Sequence, residues 1–227
     1  MQQKLDYIKT RIREAATACG RDPKSIRLVA VGKTKPAELV RQAITAGAAI
    51  IGENYIQEAR EKFKALGDCT VSWHYIGHLQ SNKAKYAVRI FDLIHSVDSL
   101  KLAGELDKHA QKIDKIQPIL IQVNISKETT KGGVHEAQTL ELVRAVSQFT
   151  NLSIKGLMTM PPYFDDPDRA RPFFKALGDL RQQIRLARIP NVSMDELSMG
   201  MSGDFEAAIE EGATLVRVGT AIFGARQ

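Results

Sequence analysis

Short apolar runs alternate with helical patterns eight times along this chain, and that alternation limits what it can fold into. The first run is Leu28–Val31, rich in β-branched residues and read as a buried strand. Pro36 then opens a helix whose inner face is Leu39, Val40, Ala43 and Ile44, closed by Gly47. The same unit recurs as strand Ala49–Gly52 with helix Asn54–Leu66, strand Trp73–Ile76 with helix Asn82–Arg89, and strand Phe91–Val97 with a helix capped by Asp98 or Ser99 and running to about Lys112. Strand Ile119–Asn124 leads through a polar loop, Ser126–Gly133, into a helix ending near Phe149. Strand Ser153–Met158 precedes a Pro161-Pro162 loop and a helix over Asp168–Ala187, with which Pro172 conflicts unless it lies in the first turn. The last units are strand Glu196–Met199 with helix Phe205–Glu210, and strand Thr214–Val218 with a helical turn at Thr220–Gly224.

Short strands separated by longer helices imply a parallel sheet, because parallel neighbours need a crossover. Eight such units in 227 residues imply an α/β chain closed as a single (β/α)8 barrel over residues 1–227. The rival is an open doubly wound sheet. One further helix stands before the first strand: Leu5, Ile8, Ile12 and Ala15 recur at helical spacing, so residues 1–20 are expected to pack on the barrel. No linker or internal repeat interrupts the pattern. The basic excess is 32 against 26, a net +6, but it is dispersed, which argues against nucleic acid. The two cysteines, Cys19 and Cys69, form no CxxC pair or disulfide framework, and residues 1–7 hold no apolar signal region. No apolar stretch approaches a membrane span. A soluble cytoplasmic protein is the expectation.

In a barrel of this kind chemistry sits at the C-terminal ends of the strands. Period-2 geometry there puts Val29, Val31 and Lys33 on one face. The plain reading of Lys33 is a strand-end lysine reaching to water. The chemical reading is an amine whose pKa falls in partly apolar surroundings and which then attacks an aldehyde. Two loops look built for an anion. Ser198-Met199-Gly200-Met201-Ser202-Gly203-Asp204 follows the seventh strand, where Ser202 offers a hydroxyl and the glycines let the backbone approach; Val218-Gly219-Thr220 follows the eighth. Barrel phosphate sites favour these two loops. Arg217 lies between Val216 and Val218, so it points toward the barrel interior and needs a partner. That partner is an interior carboxylate or a ligand's ring atom. His74 and His78 are read as structural rather than metal-binding. Lys35, Lys83 and Lys85 are read as solvated, Glu53 as a loop partner, and Met158, Met160, Met199 and Met201 as packing at the barrel mouth.

Six segments together resemble the pyridoxal phosphate homeostasis protein family. They are Ala30–Pro36, Gly52-Glu53-Asn54-Tyr55, His74–Lys83, Gly156–Met160, Leu197–Ser202 and Arg217–Gly224, and they occur in order over almost the whole chain. One departure is Gly32, where the family carries serine more often; it is expected to leave the lysine unaffected and to loosen the local turn. The resemblance implies a fold-type III barrel like the N-terminal domain of alanine racemase. It implies that Lys33 forms a Schiff base with pyridoxal 5′-phosphate and that Ser202, Gly219 and Thr220 hold the phosphate. It further implies that Arg217 faces the pyridine nitrogen, and that Asn54 and Ser198 line the site. An arginine at that nitrogen disfavours its protonation, so the cofactor is a weaker electron sink.

Fold-type III racemases carry a second, β-rich domain, for which three residues after Gly224 leave no room. Two-base racemisation also needs a second group opposite Lys33. The expectation is therefore a monomeric binder that stores or delivers the cofactor by imine exchange, without catalysis of its own. Its partners would be the cofactor, apoenzymes that use it, and amino or keto acids. The alternatives are a pyridoxal phosphate-dependent racemase or lyase, and a cofactor-free Schiff-base barrel acting on sugar phosphates. A nucleic-acid binder is the weakest alternative, suggested by net charge alone.

Overall fold

The apolar runs do become strands, and their order closes. The computed structural model describes residues 1–126, 128 and 132–224. Helix α1 (Gln2–Ala18) precedes strand β1 (Arg27–Val31), followed by α2 (Ala37–Thr45), β2 (Ile50–Glu53), α3 (Ile56–Ala65), β3 (Ser72–Tyr75) and α4 (Ala84–Ile90). Then come β4 (Leu93–Val97), α5 (Leu100–Gln111), β5 (Gln117–Asn124), the short β6 (Val134–His135) and α6 (Thr139–Val146). The chain continues with β7 (Leu152–Met158), α7 (Arg171–Leu186), β8 (Val192–Ser198), α8 (Phe205–Glu210), β9 (Leu215–Val218) and α9 (Thr220–Phe223). All pairings are parallel, and the β1–β9 and β4–β5 ladders close eight strands into a ring, with β6 appended to β5 outside it. The open-sheet alternative is thereby excluded.

Period 2 divides the core into two layers. Val29, Ile50, Leu93, Leu120, Met158 and Leu215 fill the barrel interior, while the opposite strand faces join the helices in a larger outer core. Helix α1 buries Leu5, Ile8, Ile12 and Ala16 and packs against α8 and α9. No helix among the described residues is long and apolar enough to cross a membrane.

Several boundaries differ from the sequence reading, each for a local reason. Strand β8 starts at Val192 rather than Glu196. Its first half, Ser193 to Glu196, is largely polar, and Met194 at φ 53° with a register shift against β7 breaks the alternation that a periodicity search relies on. The helix expected from Asp168 begins at Arg171 after a 3-10 turn over Pro167–Ala170, which places Pro172 in the first turn and removes its conflict. A 3-10 turn over Ser81–Lys83 likewise precedes α4. Ser99, not Asp98, caps α5, accepting from Leu102 N at 3.3 Å. Helix α6 stops at Val146 rather than Phe149. Of the polar loop before it, residues 127 and 129–131 lie outside the described residues.

Candidate functional site

The C-terminal strand ends converge on a cavity of about 590 Å³ at the barrel mouth. Strand β1 delivers Val29 to the interior core and, two and four residues on, Val31 and Lys33 to the cavity wall. The turn carrying Lys33 is held from both sides. Lys62 Nζ donates to the Gly32 carbonyl at 2.7 Å, and Thr34 N donates to Glu58 Oε2 at 2.7 Å. Thr34 sits at φ 60°, a left-handed conformation uncommon for a β-branched residue. Lys62 Nζ also donates to Glu53 Oε1 at 2.8 Å, in a pair with almost no solvent contact. Burial pushes the Glu53 carboxyl up to about 7 although Lys62 pulls the other way. Glu53 is thus a buried brace at the end of β2 rather than a loop partner. A Cβ at Gly32 would stand 2.9 Å from Glu53 Oε1 and 3.1 Å from Val40 Cγ2, so these side chains crowd the position.

Beneath the cavity runs a buried polar chain. Arg217 Nη1 donates to Ser198 Oγ at 2.6 Å and Nη2 to the Thr159 carbonyl at 2.9 Å. Ser198 Oγ meets His95 Nδ1 at 2.8 Å, and His95 Nε2 meets His74 Nδ1 at 2.9 Å. Burial holds the Arg217 guanidinium down to about 10, His74 down to about 3, and His95 well below the usual imidazole range. Among the described residues the Arg217 side chain donates to a hydroxyl and a carbonyl rather than to an interior carboxylate, with the Asp204 carboxylate acting on it only through its charge. Two of its five donors are spent on Ser198 and Thr159, and it lines the cavity floor.

On the opposite wall the loop after β8 folds against β9. Gly200 adopts φ 86° and its carbonyl accepts from Arg217 N at 3.0 Å. A Cβ at Gly200 would lie 2.6 Å from Ala208 Cβ. Gly200→Ala is therefore expected to destabilise the fold by about 1–3 kcal/mol and to displace the Ser202 loop, seen as a lowered urea midpoint with unchanged slope. Ser202 Oγ accepts from Gly219 N at 3.3 Å, tying the two anion-type loops together. The N–H groups of Ser202 and Gly203 take no acceptor among the described residues. Asp204 Oδ1 accepts from Met201 N at 2.5 Å, and burial raises that carboxyl above its usual range.

Lys33, Asn54, Ser202, Arg217, Gly219 and Thr220 all line this one cavity. Ser198 does not; it lies fully buried one layer below, against Arg217. Asn54 Oδ1 is sealed from solvent and accepts no hydrogen bond among the described residues, an unusual state for a buried amide oxygen. Lys35, read as solvated, also lines the wall. The four methionines do not form one group: Met160 and Met201 reach the cavity, Met158 fills the barrel interior and Met199 the outer core. His74 and His78 do not converge, since His74 points inward to His95 while His78 sits on the loop after β3, its carbonyl accepting from Tyr75 Oη at 2.9 Å. Sequence reasoning missed His95 and Lys62. Both carried a signal: His95 lies two residues from the interior Leu93 on β4, and Lys62 lies at i+3 from Ala59 on the buried face of α3.

A closed parallel barrel with a lysine on its first strand end and an arginine on its last defines a class, and the comparisons agree. The family model described as alanine racemase, N-terminal domain, matches residues 3–227. The alanine racemase of Corynebacterium glutamicum superposes with a TM-score of 0.72 at 17% identity, covering 97% of this chain and 62% of that one, which speaks for the fold. Among closer relatives, the pyridoxal phosphate homeostasis protein of Aquifex aeolicus is 43% identical over 225 residues, covering 99% of this chain and 98% of the relative. That of Escherichia coli K12 is 43% identical over 231 residues, covering 98% and 95%. The structure of PipY from Synechococcus elongatus with pyridoxal phosphate bound has a TM-score of 0.83 at 37% identity and covers 94% of this chain and 100% of its own. The chain belongs to the pyridoxal phosphate homeostasis protein family.

Proposed function

We infer that this protein binds pyridoxal 5′-phosphate through a reversible Schiff base at Lys33 and holds it as a store that can be released. The observation that carries the reading is the meeting of an amine at the end of the first strand, Lys33, with the Arg217 guanidinium and the Ser202–Gly219 loop pair on a single cavity. The cofactor supplies an aldehyde that condenses with an amine and a phosphate that needs donors. For the aldehyde, the braced turn presents Lys33 to the cavity. For the phosphate, Ser202 and Gly203 hold uncommitted N–H groups beside the Ser202 hydroxyl. For the pyridine nitrogen, Arg217 offers only donors, which favours the unprotonated ring. The relatives named for homeostasis of this cofactor, and the related structure with it bound, support the same assignment. Apoenzymes that use the cofactor are the recipients such a store implies.

Adding pyridoxal 5′-phosphate to the purified chain is expected to produce a visible absorbance band that borohydride reduction fixes to the peptide containing Lys33. Absence of any band, or label on another peptide, overturns the assignment. Incubating the loaded protein with a single-enantiomer amino acid separates storage from catalysis: sustained racemisation rules out a pure store.

A further inference from the structure

The polar chain under Arg217 has a direction, and the direction leads to a second cavity. Arginine can only donate, so Ser198 Oγ accepts from Arg217. The Ser198 hydrogen then has His95 Nδ1 as its acceptor, since no other partner of that oxygen occurs among the described residues. His95 Nδ1 is therefore unprotonated and its Nε2–H donates to His74 Nδ1. His74 in turn carries its hydrogen on Nε2. Each link is fixed by the one before it, and the chain ends in a donor.

That last donor has no protein acceptor among the described residues, yet its atom is not sealed from solvent. His74, only 4% exposed, helps line a cavity of about 500 Å³ at the opposite, N-terminal end of the barrel, between α1 and the starts of β1 to β3. The remaining polar lining is rich in donors. Lys9 Nζ spends one hydrogen on the Gly47 carbonyl at 2.9 Å, Arg13 is exposed at the rim, and Arg27 pairs with Glu196. Ser72 gives its hydroxyl to Asp92 Oδ2 at 2.9 Å. No carboxylate lines the cavity, and Ile12, Ile26, Leu28 and Ile50 make its apolar wall.

We propose that this second cavity is a binding site for a small carboxylate with an apolar tail, its oxygen accepting from His74 Nε2–H and its charge offset by Lys9 and Arg13. Ligand bound there is joined to the mouth through His74, His95, Ser198 and Arg217. An acceptor on His74 Nε2 polarises the whole chain toward Arg217, so occupancy at one end alters donor strength at the other. The site stands independently of the cofactor assignment; only its coupling to the mouth concerns that reading.

The test uses the cofactor-free full chain and hexanoate as probe, followed by methyl and imidazole NMR. Hexanoate is expected to shift the Ile12 and Ile50 methyls and the His74 Nε2 resonance saturably, and to carry the shift on to His95. Hexanol and hexylamine at equal concentration should bind at least tenfold more weakly. Lys9→Glu with Arg13→Glu, both on the exposed side of α1, should weaken hexanoate at least tenfold without changing the circular dichroism. Lys33→Ala should leave it unchanged, which separates this site from the mouth. Unmoved Ile12, Ile50 and His74 signals, or hexanol binding as tightly as hexanoate, overturns the site. A His74 shift that stops short of His95 overturns the coupling.

Discussion

Lys62→Met is expected to lower stability by about 3–5 kcal/mol at pH 8, and by only about 1–3 kcal/mol at pH 5. The larger figure reflects a buried carboxylate stripped of the Lys62 ammonium that pairs with it. Glu53 is fully buried and its carboxyl is raised to about 7, first by burial and against the opposing pull of Lys62. The 2.8 Å ion-pair geometry and the raised carboxyl conflict only if pairing is assumed to win. Here desolvation outweighs it, so near neutrality the pair is divided between ionised and neutral forms. A folded value above the unfolded one means that the native state holds the extra proton. Glu53 therefore favours folding fully below about 4.5, and that contribution is lost as pH rises toward about 7. Removing Lys62 takes away the opposing pull, lifts the folded value further and extends the loss to higher pH. At pH 5 Glu53 is protonated in either protein, and what remains is the Gly32 carbonyl robbed of its donor. Adding Glu53→Gln should restore most of the pH 8 loss and flatten the profile. Urea unfolding read from Trp73, the single tryptophan, measures all three proteins. A cost for Lys62→Met that is equal at pH 5 and pH 8 would show that Glu53 stays ionised in the core.

The same brace shows what the sequence could and could not tell. Alternation made the eight strands legible, and period 2 alone sent both Lys33 and Arg217 to the mouth, because a strand residue has only two faces to choose between. Depth is another matter. Ser198 shares the inward face with the site residues yet lies beneath the cavity, a difference set by where β8 stands in the ring relative to β9. Parity says which way a side chain points and nothing about its height in the barrel. Glu53 and Lys62 are nine positions apart on a strand and a helix. Their meeting depends on how α3 lies against β2, which no local pattern encodes. The N-terminal cavity was illegible for the same reason, being formed by α1 together with strand starts distant in sequence. Strand β8 was half hidden because Met194 in a left-handed conformation interrupts its alternation.

Lys33→Ala is expected to abolish the visible band and the borohydride-stable attachment of pyridoxal 5′-phosphate, while weakening binding about 100-fold, or roughly 2.7 kcal/mol, rather than eliminating it. The argument turns on the separation of two jobs. Lys33 alone would hold the aldehyde, whereas the phosphate would be addressed by the Ser202 loop and Gly219 on the other wall of the cavity. Ser202→Ala should give the opposite signature: the band survives, and affinity falls about tenfold, as expected for one hydrogen bond to a charged group. Neither change should alter the fold, since Lys33 is half-buried and its turn is held through the backbone of its neighbours, Gly32 and Thr34. Lys35 is the control that nature supplies. It lies two residues on and lines the same cavity, so it is the amine best placed to substitute. Between them Thr34 turns the chain at φ 60°, so the strand's period no longer relates the two lysines. The brace from Lys62 and Glu58 grips the residues on either side of Lys33 and so fixes the aim of that lysine in particular. A band retained in Lys33→Ala and lost only when Lys35 is also replaced would move the nucleophile to Lys35 and leave the Lys62–Glu58 brace with no role in aiming it.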